Sequence, residues 1–260
     1  MKAWFEEHPL AASVIIWIAD IVFVLAGAWL LSLLFPSMPG YGRGLSQSLV
    51  LVLVGVLLVA AMLSVFRWWR LAGFVGPAQW RDLRVLWLPV VILLLPFIQG
   101  VRPIPPSELL TLVVAYAATA FFEEAIYRGA MLGLLRPQGI WTAVIISSLL
   151  FGLVHFSNIV LRGNPGLIAL QALGAATGGV GMAAIRLRTR TIWPVIGLHA
   201  AHDLFFQLSY LPIPLVDAAN SIILFCYAFY LLRPRMRARL EAEPEDGGLR
   251  GAAMREATVR

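Results

Sequence analysis

Leu49-Val50-Leu51-Val52-Leu53-Val54-Gly55-Val56-Leu57-Leu58-Val59-Ala60-Ala61-Met62-Leu63 runs without one polar side chain, and Ser64-Val65-Phe66 carries it on to Arg67. About 20 consecutive apolar residues in a helix cross the hydrocarbon core of a bilayer, whereas a water-soluble core uses shorter, one-sided stretches. Seven further runs of this kind follow or precede it, so the expected spans lie near 11–35, 46–66, 85–100, 108–134, 139–157, 166–186, 191–210 and 213–232. The third is interrupted by Pro89 and Pro96, which predicts a kinked or re-entrant segment. With 60% hydrophobic residues, 13% charged and a mean hydropathy of +0.83, the chain reads as an all-α, polytopic membrane bundle of about eight helices.

A net charge of +6 and a pI near 10.1 are values also met in nucleic-acid binders. Here the arginines fall in short clusters between apolar runs, where they set membrane orientation, so the bilayer and not nucleic acid is the expected partner. With the N-terminus inside, the inner segments hold Lys2, Arg67, Arg70, Arg81, Arg84, Arg136, Arg186, Arg188, Arg190, Arg233, Arg235, Arg237 and Arg239, against Arg43, Arg102 and Arg162 outside. This bias predicts a multi-pass protein of the cell membrane with both termini cytoplasmic. Ala26-Gly27-Ala28 imitates a signal-peptide cleavage site, but Glu6 and Glu7 flank the run and it continues to Phe35, so it reads as an uncleaved anchor. The organisation expected is N-terminal helices with a cytoplasmic loop (1–107), a transmembrane core (108–232) and a polar tail (233–260) that turns mixed in charge beyond Leu240 and is too poor in apolar residues to fold.

Charge inside the membrane is costly, about 2.5–3.5 kcal/mol per group at mid-depth, and is kept for cavities, partners or function. In this chain it is concentrated in three spans: Glu123-Glu124-Ala125-Ile126-Tyr127-Arg128, Phe151-Gly152-Leu153-Val154-His155 and His199-Ala200-Ala201-His202-Asp203. Glu124 and Arg128 are four apart and share a helix face, which predicts an ion pair and leaves Glu123 facing another neighbour, about 100° round. His199 and Asp203 share a face in the same way, with His202 to one side.

Acid, imidazole and guanidinium from three helices suit two chemistries. One is hydrolysis, in which a carboxylate and an imidazole activate water while other donors hold an oxyanion. The other is a proton or ion relay. Two histidines and a glutamate also suit zinc with an open position, although HExxH is absent. No serine or cysteine stands beside a base; Cys226, on another span, reads as an apolar packing residue.

The pattern Glu123-Glu124-x-x-x-Arg128, Phe151-x-x-x-His155, His199-x-x-x-Asp203 resembles the three motifs of the CPBP family, which joins the type II CAAX prenyl endopeptidases with bacteriocin-processing and immunity-associated (Abi) membrane proteins. The resemblance covers about residues 108–232. It implies an intramembrane glutamic endopeptidase that needs no metal and acts on a membrane-associated peptide or protein. Glu123 and His155 would activate the water, His199 and Asp203 would polarise the scissile carbonyl, and Glu124 and Arg128 would order the site or meet substrate. The third motif often ends in Asn. Asp203 could donate to an oxyanion only if protonated; as a carboxylate it accepts only, and then orients His199. A zinc protease on the same residues and a non-enzymatic immunity or transport protein are the alternatives. Oligomeric state is not legible.

Outside these motifs, Gly174-x-x-x-Gly178 and Gly129-x-x-x-Gly133 predict close helix packing within the chain. Trp68, Trp69, Trp80, Trp87, Trp141 and Trp193 sit near span ends and read as interface anchors, and 67–84 as a surface amphipathic helix or a loop. Asp20 and Asp217 are isolated acids with no assigned role.

Overall fold

A computed structural model describes residues 1–34, 45–77, 79–159 and 164–242. Arg43, Arg162 and the polar tail from residue 243 on, for which disorder is expected, lie outside the described residues. Among those described there is no strand, only one isolated bridge between Val101 and Ser209. The protein is all-helical, as expected.

The principal helices are α1 (Pro9–Leu34), α2 (Leu45–Phe66), α3 (Pro106–Glu124), α4 (Ile140–Val154), α5 (Pro165–Thr189), α6 (Trp193–Gln207), α7 (Ile213–Leu231) and α8 (Pro234–Ala242). Five helical stretches are long and apolar enough to cross a membrane: α1, Leu49–Phe66 of α2, Pro106–Gln138, Ile140–Ser157 and α5. The pair Val216–Leu231 and Pro234–Ala242, bent by 70°, adds a sixth if taken as one span. Eight is not reached by this measure, for two visible reasons. The third run is broken into a 3₁₀ turn at Trp80–Leu86, a short helix at Trp87–Ile92 and another turn at Leu95–Phe97. Pro89 and Pro96 remove the backbone donors a continuous helix needs there. The seventh run forms a helix of only 15 residues, about 22 Å at 1.5 Å per residue and short of the hydrocarbon thickness.

Starts and stops follow ordinary end chemistry. The Asn164 side chain accepts the Leu167 N–H at 3.2 Å, with Pro165 at the first helical position, where no donor is wanted. At the end of α2, Arg67 takes a left-handed φ of 56°, and Trp68 N–H reaches back to the Leu63 carbonyl at 2.8 Å. This is the closing bond of a Schellman turn, made here without glycine.

α5 runs between α4 and α7, and α3 between α2 and α6. Small residues permit the first arrangement. A Cβ on Gly152 would stand 2.6 Å from the Ala172 carbonyl, and one on Gly181 the same distance from the Leu224 carbonyl, so both faces of α5 meet their neighbours at backbone distance. Gly174 and Gly178 lie against Asp217 and Ser221 of α7, and Gly129 and Gly133 against Ala72 and Leu71. Both pairs therefore serve packing inside the chain.

The segment after α2 is neither a helix nor a loose loop. Arg186 of α5, 2% exposed, donates to the carbonyls of Ala72 and Leu71 at 3.4 Å, and Ile192 N–H bonds the Gly73 carbonyl at 2.9 Å. Trp68 is 1% exposed, stacked on Phe66 and donating to Glu6 at 3.2 Å. It is a core residue and not an interface anchor, because the left-handed turn at Arg67 folds it back onto the bundle. Trp80, Trp87 and Trp193 remain exposed. Cys226 also faces outward, correcting its reading as a packing residue: the buried face of α7 at that level is taken by Tyr227 and Ala228. The first part of the expected tail, 233–242, is helical as far as Ala242. Leu240 is buried, and its carbonyl accepts from Arg136.

Candidate active site

Glu123 and Glu124 close α3. The chain then widens into a π-helical turn, Ala125–Met131, before resuming as α-helix at Leu132. Such turns are rare and concentrate at functional positions. Every residue of this one is buried, and Gly129 and Gly133 seat it and the helix that follows against the loop at Leu71 and Ala72. Nothing in the residue types announces the widening.

Glu124 and Arg128 form the ion pair that their spacing predicts. Nη1 lies 3.2 Å from Oε1, and both side chains are 1% exposed. The guanidinium has two further neighbours. Its Cζ lies 4.0 Å from the centroid of the Phe151 ring, and its Nη2 fills the hollow left by Gly179, where a Cβ would stand 2.7 Å away. Arg128 thus holds α3, α4 and α5 together at one point.

Sequence spacing did not reveal the second partner of Glu124. His199 Nδ1 lies 2.8 Å from the same oxygen, so Glu124 Oε1 accepts from an arginine on its own chain segment and an imidazole on α6. His199 Nε2 faces the other two acids, 3.6 Å from Glu123 Oε2 and 3.6 Å from Asp203 Oδ2. Expected as the partner of Asp203, this histidine is held more closely by Glu124.

His155 begins a 3₁₀ turn at the end of α4, and its Nδ1 lies 2.8 Å from the Phe151 carbonyl. A carbonyl only accepts, so Nδ1 carries the hydrogen, and in the neutral ring Nε2 keeps the lone pair. The Phe151 ring lies edge-to-face with both His155 (4.9 Å) and His199 (6.2 Å), joining the two imidazoles through one wall. The six residues singled out in the sequence, Glu123, Glu124, Arg128, His155, His199 and Asp203, thus fall around one locus. Glu124 and Arg128 are sealed in, while side-chain exposures of 23% at Glu123, 13% at His199 and 27% at Asp203 leave those groups open to solvent or substrate. Among the described residues no group of three or more His, Cys, Asp or Glu side chains is arranged to hold a metal ion.

Two acids left without a role find partners. Asp20 Oδ2 accepts from the Tyr127 hydroxyl at 2.6 Å, a buried bond tying α1 to the π turn. Asp217 of α7 lies 3.3 Å from His202 Nε2, whose Nδ1 is 3.2 Å from Asp203 Oδ1. The sequence signal for both was an acid in an apolar run with no complement on its own helix.

Comparison with curated proteins gives no match. Residues 105–205 match the family described as type II CAAX prenyl endopeptidase Rce1-like. The matched segment opens at the residue that caps α3, closes inside α6, and contains all six residues named above. With its several membrane-length apolar helices the chain is a multi-pass membrane protein. Over residues 105–205 it is similar to the Rce1-like family of type II CAAX prenyl endopeptidases, and this match supports a place among the CAAX-protease-like membrane proteins.

Proposed function

We propose that the chain is a glutamic-type intramembrane endopeptidase that cleaves a peptide bond of a membrane-associated protein or peptide by water activated at Glu123 and His155, with no metal and no covalent intermediate. The observation that carries the reading is His199: one ring nitrogen is tied to buried Glu124 while the other faces Glu123 and Asp203.

In this mechanism water sits between Glu123 and the free Nε2 of His155. Glu123 takes a proton as the water oxygen bonds the scissile carbon, and the carbonyl oxygen becomes an oxyanion facing His199 Nε2–H. With Nδ1 donating to Glu124, the imidazole cannot turn, so its outer N–H is aimed before substrate arrives. Asp203 orients the ring from the other side as an acceptor. Collapse of the tetrahedral species breaks the carbon–nitrogen bond, and the proton held by Glu123 passes to the leaving amine. Arg128 holds Glu124 in place through their 3.2 Å contact. The catalytic part is residues 108–232, the membrane is the cell membrane, and the termini face the cytoplasm, in keeping with the basic loops.

The test compares protein N-termini in membranes of cells carrying wild type or Glu123→Gln at matched expression. New termini confined to the wild type support proteolysis and identify the substrate. Identical termini, in cells where both proteins give the same phenotype, overturn the reading. Purified enzyme that stays active after exhaustive chelation supports the metal-free mechanism; activity lost to chelator and restored by zinc overturns it.

A further inference from the structure

Asp203 has two oxygens and the site uses one. Oδ2 faces His199 at 3.6 Å, and Oδ1 is taken by His202 Nδ1 at 3.2 Å. An aspartate held at one oxygen only can rotate about its last torsion and present either oxygen to His199. The contact with His202 removes that freedom, provided the His202 ring is itself fixed. Two features fix it. Phe206 packs against the ring with centroids 4.1 Å apart, and Asp217 Oδ1 lies 3.3 Å from Nε2.

Asp217 comes from α7, beyond the segment that matches the family, and it sits in a prepared place. A Cβ on Gly174 of α5 would stand 2.8 Å from Asp217 Oδ2, so the glycine of an apparently ordinary packing pair provides the clearance for this carboxylate. An unbroken series of contacts runs from Glu124 through His199, Asp203 and His202 to Asp217, joining α3, α6 and α7. Side-chain exposure climbs from 1% at Glu124 through 13% at His199 to 27% at Asp203 and then levels off, at 29% for His202 and 26% for Asp217.

We propose that Asp217 is a positioning residue of the site. It fixes His202, which fixes one oxygen of Asp203 and so directs the other at His199. The kinetic part of this inference rests on the hydrolytic reading above; the contacts do not. Misplacing a group that orients a catalytic residue costs roughly tenfold to a hundredfold in turnover.

The experiment uses the full chain, purified and reconstituted in phosphatidylcholine vesicles, with two readouts. Diethyl pyrocarbonate labelling, read by peptide mass spectrometry, reports each histidine separately. Asp217→Ala and Gly174→Ala raise labelling of His202 severalfold and leave His8 unchanged, whereas Asp217→Asn, which keeps an acceptor for Nε2–H, stays near wild type. The second readout is cleavage of the membrane protein whose new terminus depends on Glu123. Asp217→Ala lowers kcat with little change in KM, Asp217→Asn restores most of it, and Asp217→Ala adds no further loss in a His202→Ala background. Unchanged His202 labelling in folded Asp217→Ala overturns the proposal, as does an equal loss with and without His202. Labelling that follows Asp217 in a protein that cleaves nothing supports the positioning contacts and overturns the hydrolytic reading alone.

Discussion

Arg128→Leu isolates the energetic core of the site. The substitution leaves Glu124 as a carboxylate 1% exposed, with His199 on Oε1 and no partner on Oε2 among the described residues. Breaking a buried ion pair from one side costs about 3–5 kcal/mol, because the remaining charge is uncompensated. The lost contact over Phe151, at 4.0 Å and away from water, accounts for up to about 2 kcal/mol on its own, and leucine recovers part of it by packing. A net loss of about 3–5 kcal/mol is a large share of the stability of an ordinary domain. The assay is titration of the purified protein in mixed micelles with dodecyl sulfate, followed by far-ultraviolet circular dichroism. A control separates charge from shape. Adding Glu124→Gln removes the stranded charge while its amide oxygen still accepts from His199, so the double variant is more stable than Arg128→Leu by at least about 1 kcal/mol. Stability of Arg128→Leu within about 0.5 kcal/mol of wild type, the range of an inconsequential surface change, refutes the assignment. So does a double variant no better than the single one.

Gly179→Ala places a methyl 2.7 Å from Arg128 Nη2 and lowers both stability, by about 1–3 kcal/mol, and cleavage, whereas Gly197→Ala, with open space around its Cβ, leaves both unchanged; the same titration and an end-point cleavage assay check this. Tyr127→Phe strips Asp20 of its hydrogen bond in a site 6% exposed and costs about 1–3 kcal/mol, and Asp20→Asn combined with it recovers part of the loss. His155→Gln abolishes new N-termini without altering the unfolding midpoint, because the side chain is bonded to the Phe151 carbonyl at a helix end and not across the bundle; a shifted midpoint speaks for a structural role instead.

The sequence is legible wherever one helix is sufficient to read it. Glu124 with Arg128 follows from a spacing of four, the break in the third run from Pro89 and Pro96, and the chemistry-bearing set from charges that have no business in apolar spans. What it hides is everything decided between helices. The bond from Glu124 to His199 joins residues 75 apart, and that from Tyr127 to Asp20 residues 107 apart, so neither has a period to betray it. Trp68 illustrates the converse: an indole at a span end reads as an anchor until a left-handed residue before it turns it inward. The π turn at Ala125–Met131 is hidden for a third reason: no proline marks it, and the close seating of Gly129 and Gly133 on Leu71 and Ala72 that accompanies it is a contact with a distant loop.

The double duty of Glu124 bears on how the protein is made. When α3 leaves the ribosome, α6 has not been synthesised, and a bare carboxylate entering the bilayer is costly. Arg128, one turn on in the same helix, is already there, so the acid enters as half of a neutral pair. The histidine arrives some seventy residues later and docks on the oxygen that the arginine has kept in position. A chain halted between α5 and α6 therefore inserts the helix that carries Glu123 and Glu124 without the site that the helix serves, and translation itself sets the moment at which the membrane first meets an assembled set of acids and imidazoles.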